Sequence, residues 1–296
     1  MQIWGIADRL FGKLTSTKMR LLLDVFSVIA KGNYNFALRN AEEYEIAQRF
    51  LLYPNPQWDP LLSGLDQESK RIAKMVYDRY CHIARHNLID RSLFTAEERE
   101  FQKADRVPPH YHGIWKYPFP LEESVFVFHN GLTYVPKKNL QAKKGTIAID
   151  GGGYYGDSAH IFSKHYPFEH IYSYEPNAET AAKAWEHIQE LQLANITISS
   201  RELGTSPLSM DKKVGLIKLD IEGAEFAAIK SMKKIIAKDK PILLIALYHR
   251  PEDFFLIKPY IERIAPKKYT FKIRKLNPNH LTFETYLIGY PKIKSQ

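Results

Sequence analysis

The stretch best suited to holding a ligand is Ile147-Ala148-Ile149-Asp150-Gly151-Gly152-Gly153-Tyr154-Tyr155-Gly156-Asp157-Ser158, an apolar run that ends in an acid and enters a glycine-rich turn. Glycines in such a turn permit positive backbone angles and let a ligand approach the main chain closely. Gly151, Gly153 and Gly156 satisfy the G-x-G-x-x-G spacing of dinucleotide loops, and Glu175 ends the next apolar run, where a ribose-binding carboxylate is expected. Asp150 separates two readings. Its carboxylate at the strand tip would repel a pyrophosphate, whereas S-adenosylmethionine, which carries a sulfonium and an ammonium and no phosphate, would be attracted. The loop therefore suits a cationic cofactor better, with Asp150, Gly151, Gly152, Gly153, Tyr155, Gly156, Asp157 and Ser158 as its contacts. Glu175, Pro176 and Asn177 would meet the ribose, and Glu202 and Leu203 would border the adenine.

A second group of acids follows the run Val214-Gly215-Leu216-Ile217-Lys218-Leu219: Asp220 and Glu222, with Glu225 about one turn along the next helix. Methyl transfer from a sulfonium is an in-line displacement, so the protein mainly positions donor and acceptor, and a base is required only for a hydroxyl acceptor. His249, just past another apolar run, is the best matched base near neutral pH. Asp220 and Glu222 are the other catalytic candidates, and Asp220 also borders the cofactor edge. Asp220, Glu222 and Asp253 offer hard oxygen ligands, but nothing in their spacing makes them converge, so no metal is assigned.

These residues need a sheet whose strand ends share one edge. Alternating strand-like and helix-like segments from about residue 146 predict parallel βαβ units, with strands at Thr146–Asp150, His170–Glu175, Ile196–Ser200, Val214–Asp220, Ile242–Leu247, Tyr269–Arg274 and Leu281–Ile288. Upstream, Val125–Phe128 and Leu132–Val135 flank His129-Asn130-Gly131, which predicts a hairpin. Residues 1 to about 104 read as helical. Ile72, Met75, Val76, Tyr80 and Ile83 form one apolar stripe, and the three prolines of Tyr53–Pro60 predict a loop. The division is thus a helical region at 1–120, as a lid, an oligomerisation surface or a partner contact, and a catalytic domain at 121–296.

Composition narrows the function. At 45% hydrophobic and 25% charged residues the chain is globular rather than disordered. Its single cysteine, Cys81, excludes an internal disulfide and favours a cytoplasmic location. Residues 1–10 lack the pattern of a secretory signal, and the most apolar stretch, Leu21–Ala30, is too short to cross a membrane. The net charge of +9 is compatible with an anionic partner, yet the lysines are scattered pairs of the kind a solvated surface carries.

Taken together, the Asp150–Gly156 loop, Tyr174-Glu175-Pro176-Asn177 and above all Ile217-Lys218-Leu219-Asp220-Ile221-Glu222-Gly223-Ala224-Glu225 resemble the FkbM family of methyltransferases, whose hallmark is a K-x-D-x-E-G-x-E run. The resemblance covers about Phe126 to Pro291. It implies a class I, Rossmann-like, seven-stranded methyltransferase fold, S-adenosylmethionine as cofactor, and O-methylation of a hydroxyl on a sugar, glycan or related metabolite. Gly152 replaces a common alanine, and Ala246-Leu247-Tyr248-His249 departs from the Glu and His with which many members end the fifth strand. Two other functions compete. A nucleic-acid methyltransferase would use the basic charge, but the strand-four tip lacks a Pro-Pro-aromatic platform, Asn277-Pro278-Asn279-His280 falls in a turn, and Cys81 lies far from the site as a nucleophile. A glycan-assembly scaffold could retain the cofactor fold without turnover. The expected partners are a small-molecule or glycan acceptor and a second copy of the chain.

Overall fold

A computed structural model describes residues 34–86, 89, 91–115 and 121–293. The readings of the amino terminus and of Leu21–Ala30 and the boundary at 120 lie outside the described residues.

Seven strands form one mixed sheet: β1 (Ile147–Gly151), β2 (His170–Tyr174), β3 (Ile196–Ser199), β4 (Val214–Leu219), β5 (Ile242–Ala246), β6 (Tyr269–Lys275) and β7 (Thr285–Pro291). Their order is β3-β2-β1-β4-β5-β7-β6, with β7 antiparallel to both neighbours. β1, β4 and β5 are buried along their whole length, as expected of parallel strands covered on both faces. Successive side chains feed opposite cores. Ile147, Ile149, Ile217, Leu243 and Ile245 enter one, and Ala148, Leu216, Leu244 and Ala246 enter the other. Chain order reverses between β1 and β4, so the carboxyl ends of those strands open a crevice.

The first core also contains the amino-terminal helices. Helix α1 (Tyr34–Leu51), α2 (Trp58–Leu62) and α3 (Gln67–His86) bring Phe50, Leu61, Ile72, Val76, Tyr80 and Ile83 against Phe254 and Phe255 of a later helix. Phe50 stacks on Tyr80 at 4.1 Å. The stripe of α3 packs as its spacing predicts. Polar bonds reinforce the docking. Arg79 is buried and reaches both Glu98 and the Leu281 carbonyl, Ile273 N donates to Ser69 Oγ, and Thr282 bonds Glu43.

Three expectations require correction. The hairpin is helical: Glu123–Phe126 is a short α-helix and His129–Tyr134 a 3-10 segment. The turn does form, with Asn130 and Gly131 at positive φ, but it packs against the sheet instead of extending it. The Tyr53–Pro60 loop does separate α1 from α2 but ends at Gln57, since Trp58–Pro60 open α2 and the missing N–H of Pro60 costs nothing in a first turn. The final strand starts at Thr285, because Glu284 adopts φ 58° and breaks the extended run from Leu281.

Candidate active site

At the carboxyl ends of β1, β2 and β4 lies a cavity of about 780 Å³, within the range of small-molecule sites. The glycine turn forms one wall. Gly152 N and Gly153 N donate to the Tyr174 carbonyl at 2.9 and 3.0 Å, which clamps the turn to β2. Gly152 has φ 74°, and a Cβ there would overlap the Asp220 carbonyl oxygen. The turn as folded therefore excludes a side chain at this position. Gly156, at φ 87°, caps the helix Asp157–His165, and Asp157 and Ser158 line the cavity from its first turn.

Asp150 does not line the cavity. It is fully buried, accepts from Ser173 Oγ at 2.8 Å, and stands 3.3 Å from Lys218 Nζ, which also donates to the carbonyls of Gly151 and Gly152. Lys218 therefore cancels the charge by which Asp150, read from the sequence, would attract a cationic cofactor. Charge nevertheless favours the same ligand for another reason. Seven acidic side chains line the cavity, with burial raising the pKa of Glu284 and Glu222, against Arg201, Arg250 and the Asp150-paired Lys218, and this excess of acid disfavours phosphates and favours a sulfonium or an ammonium.

Glu175, Pro176, Glu202 and Leu203 line the cavity as expected. Glu175 is locked by Tyr154 N and Asn177 N, each donating at 3.0 Å. Gly151, Gly153, Tyr155, Gly156 and Asn177 shape the walls from outside the lining. Asn177 instead caps the next helix, its Oδ1 accepting from Thr180 N.

The opposite wall carries the acids after β4. Asp220 accepts from the Tyr248 hydroxyl at 2.8 Å and the Tyr286 hydroxyl at 2.6 Å. Burial alone would raise its pKa, but His249, Lys218 and the two hydroxyls outweigh burial and hold the carboxyl below its usual range. Glu284 lies 3.2 Å from the Tyr248 oxygen, and burial, then Glu122 and Asp220, push its pKa well up. Glu222, at φ 56°, carries an exposed carboxylate over the mouth.

His249 lies behind this wall, 6% exposed. Its Nδ1 is 2.9 Å from Glu225 Oε1, which also accepts from Ile221 N. Burial opposes its charge, but the bond to Glu225 and the fields of Asp220, Glu225 and Glu222 push its pKa up to about 9. A base must be neutral to act, so this imidazole is not a resting proton acceptor at pH 7. Asp253 stands behind Glu225, and burial and Glu225 push its pKa up to about 8. Sequence reasoning missed Tyr248, Tyr286, Glu284, Glu122 and Asn130, because nothing local links 122–130 or 284–286 to the strand ends. Lys218 was visible within the hallmark run, but its burial was not.

Residues 195–276 match the Methyltransferase FkbM domain. No curated protein sequence matches the chain significantly. Among solved structures, a methyltransferase FkbM from Methylobacillus flagellatus KT aligns at 21% identity and TM-score 0.53, over 79% of this chain and 58% of that one. The chain thus spans under two thirds of that relative. An rRNA methylase from Streptococcus thermophilus aligns at 13% identity and TM-score 0.41, over 60% of this chain and all of that one. A Streptococcus mutans protein in complex with SAH aligns at 16% and 0.40, over 59% and 100%. The matched domain implies S-adenosylmethionine as cofactor, and the carboxylate-rich cavity beside a close-approach glycine turn fits it. Residues 195–276 therefore carry the signature of the FkbM methyltransferase family, on a sheet with the class I methyltransferase fold.

Proposed function

We propose that the chain is an S-adenosylmethionine-dependent O-methyltransferase acting on a hydroxyl of a sugar, glycan or related metabolite. The observation that carries this reading is the convergence of the glycine turn, Glu175 and Asp220 on one cavity. S-adenosylmethionine would supply a sulfonium methyl, whose carbon an acceptor oxygen attacks in line; the C–S bond breaks with its electron pair on the sulfur of the departing S-adenosylhomocysteine, and the hydroxyl proton goes to a base. Glu175 receives the ribose hydroxyls on the lone pairs that Tyr154 and Asn177 leave free. Glu202 and Leu203 border the adenine, and Asp157 and Ser158 face the donor from the first turn of their helix.

Asp220 is the acceptor-side carboxylate. Two tyrosine hydroxyls hold it in place, so it orients an incoming hydroxyl and takes its proton. Glu122 and Glu222 add acceptors and Glu284, its pKa pushed well up by burial, adds a carboxyl that can also donate, a set that suits a polyol better than a phosphate backbone. The amino-terminal helices, read as their own region at 1–120, shape the acceptor side. Cytoplasmic placement follows from the cysteine usage.

Purified protein should bind S-adenosylmethionine in calorimetry and release S-adenosylhomocysteine with nucleotide-sugars or lipid-linked glycans. Turnover with RNA alone would transfer the assignment to nucleic acid. Binding without turnover on any acceptor would favour the scaffold, and tight NADH binding would restore the dinucleotide reading.

A further inference from the structure

Asp220 shares the acceptor wall with a second carboxyl group. Glu284 is buried, lines the cavity, and places Oε1 3.2 Å from the Tyr248 hydroxyl oxygen. That phenol lies closer to Asp220, at 2.8 and 2.9 Å from its two oxygens. A phenol has one proton to give, and Tyr248 gives it to Asp220. Glu284 therefore meets a lone pair on the Tyr248 oxygen, which repels a carboxylate and attracts a carboxylic acid. The pattern repeats on the other side. Ser124 Oγ bonds Glu284 and also reaches Glu122 Oε2 at 3.3 Å, with one hydroxyl proton between the two. Two hydroxyls thus link three acidic groups, with Glu284 in the middle.

The charges around the two carboxyls differ. Asp220 has Lys218 and His249 to hold it ionised. Lys275, whose field reaches Glu284, donates instead to the Asn277 carbonyl, and burial brings its own pKa down to about 8. Burial, Glu122 and Asp220 accordingly raise Glu284. Two carboxyls on one phenol are driven to opposite protonation states, the arrangement that separates an acid from a base. The backbone delivers Glu284 to this position at a conformational cost. It holds φ 58°, and the segment before it is tied down where Arg79 donates to the Leu281 carbonyl and Thr282 bonds Glu43.

We propose that Glu284 is a specificity-determining residue that works as a neutral acid, donating to an acceptor oxygen next to the hydroxyl that Asp220 receives. The cavity then selects an acceptor with two neighbouring oxygens, as in the vicinal diols and ring oxygens of sugars. Two ionised carboxylates could only accept, and would hold no oxygen that lacks a proton. The selection rests on the methyl-transfer reading through the role of Asp220, whereas the proton on Glu284 does not.

Infrared difference spectra of the full chain at pH 7, wild type minus Glu284→Gln, test the proton. A carboxylic-acid carbonyl band is expected, and a carboxylate band in its place overturns the proposal. Turnover tests the selection, with S-adenosylhomocysteine release measured on methyl hexopyranosides and their monodeoxy analogues. Glu284→Ala should raise the acceptor KM at least about tenfold with S-adenosylmethionine affinity unchanged in calorimetry, and Glu284→Gln, which restores a neutral donor, should recover most of that loss. Removing the neighbouring oxygen from the probe should cost the wild type a similar factor and Glu284→Ala nothing further. Equal KM for wild type and Glu284→Ala, a deoxy probe used as well as its parent, or cofactor binding with no turnover of any probe overturns the selection. A chain that binds no S-adenosylmethionine but shows the acid band defeats methyl transfer and leaves the neutral Glu284. Cofactor binding with a carboxylate band defeats the neutral acid and leaves methyl transfer standing.

Discussion

At the scale of single residues, the glycine turn rests on a buried charge pair. Asp150 and Lys218 are at most 3% exposed, and removing one partner of such a pair leaves the other desolvated, at a cost of roughly 3–5 kcal/mol. Asp150→Asn should therefore lower unfolding free energy in urea by about 3 kcal/mol, with cofactor affinity changing only as far as Lys218 releases the Gly151 and Gly152 carbonyls. A variant of unchanged stability but lost affinity would return Asp150 to direct contact with the ligand. Glu175 is the converse case, since its carboxylate lines the cavity. Glu175→Ala should weaken S-adenosylmethionine binding by about 1.5–3 kcal/mol in calorimetry, the loss typical of a charge-assisted hydrogen bond.

At the scale of elements, the site depends on how closely strands and turns approach. Gly152 sits where the turn after β1 meets the carbonyl of Asp220 after β4. Gly152→Ala combines a left-handed backbone with an overlap onto main chain, so the two strand ends must separate. We expect a loss of about 2–4 kcal/mol in stability and of most cofactor binding, measured by thermal melting with and without S-adenosylmethionine. A variant that binds normally would show that the turn can move away from β4. On the other wall, the Tyr80 hydroxyl of α3 donates to the Tyr248 carbonyl and Arg79 holds the Leu281 carbonyl. The helices thereby fix the segment that presents Glu284, which is why a region without a motif still matters to the cavity.

For the whole molecule, charge is unevenly distributed, and pH should reveal it. The chain is basic, yet its cavity is acidic. A histidine and aromatic cluster holds a buried His160 and a half-buried His129 neutral: Trp115 Nε1 donates to His160 Nδ1, and His129 bonds the Tyr166 hydroxyl. Burial, then His165 for His129 and Lys164 for His160, lowers both imidazoles to about 4. The unfolded chain takes up these protons near pH 6.5, whereas the folded chain resists until about pH 4, so stability present above pH 6.5 is lost as pH falls toward 4. After allowance for partial solvation, each histidine should account for about 1–2 kcal/mol by pH 5. Urea unfolding at pH 7 and pH 5 checks this, and His160→Asn should flatten the difference. A wild-type midpoint independent of pH in this interval would place the protons elsewhere.

The chain's local patterns determined the strands, the glycine turn, the acids after β4 and the family they resemble, because strand period, turn chemistry and motif spacing are all properties of neighbours in sequence. Each predicted strand fell within a few residues of its position, the last one shortened by the left-handed Glu284. Only the tertiary structure decided which carboxylates keep their charge. Asp150 is spent on Lys218, Asp220 is held ionised by His249 and Lys218, and His249 is drawn behind the wall by Glu225. It also decided that the turn at Asn130-Gly131 joins short helices, since packing against β7 overrode an isolated preference for strands. Charge states and acceptor contacts depend on desolvation and on partners tens to hundreds of residues away, and those distances close only when the chain folds.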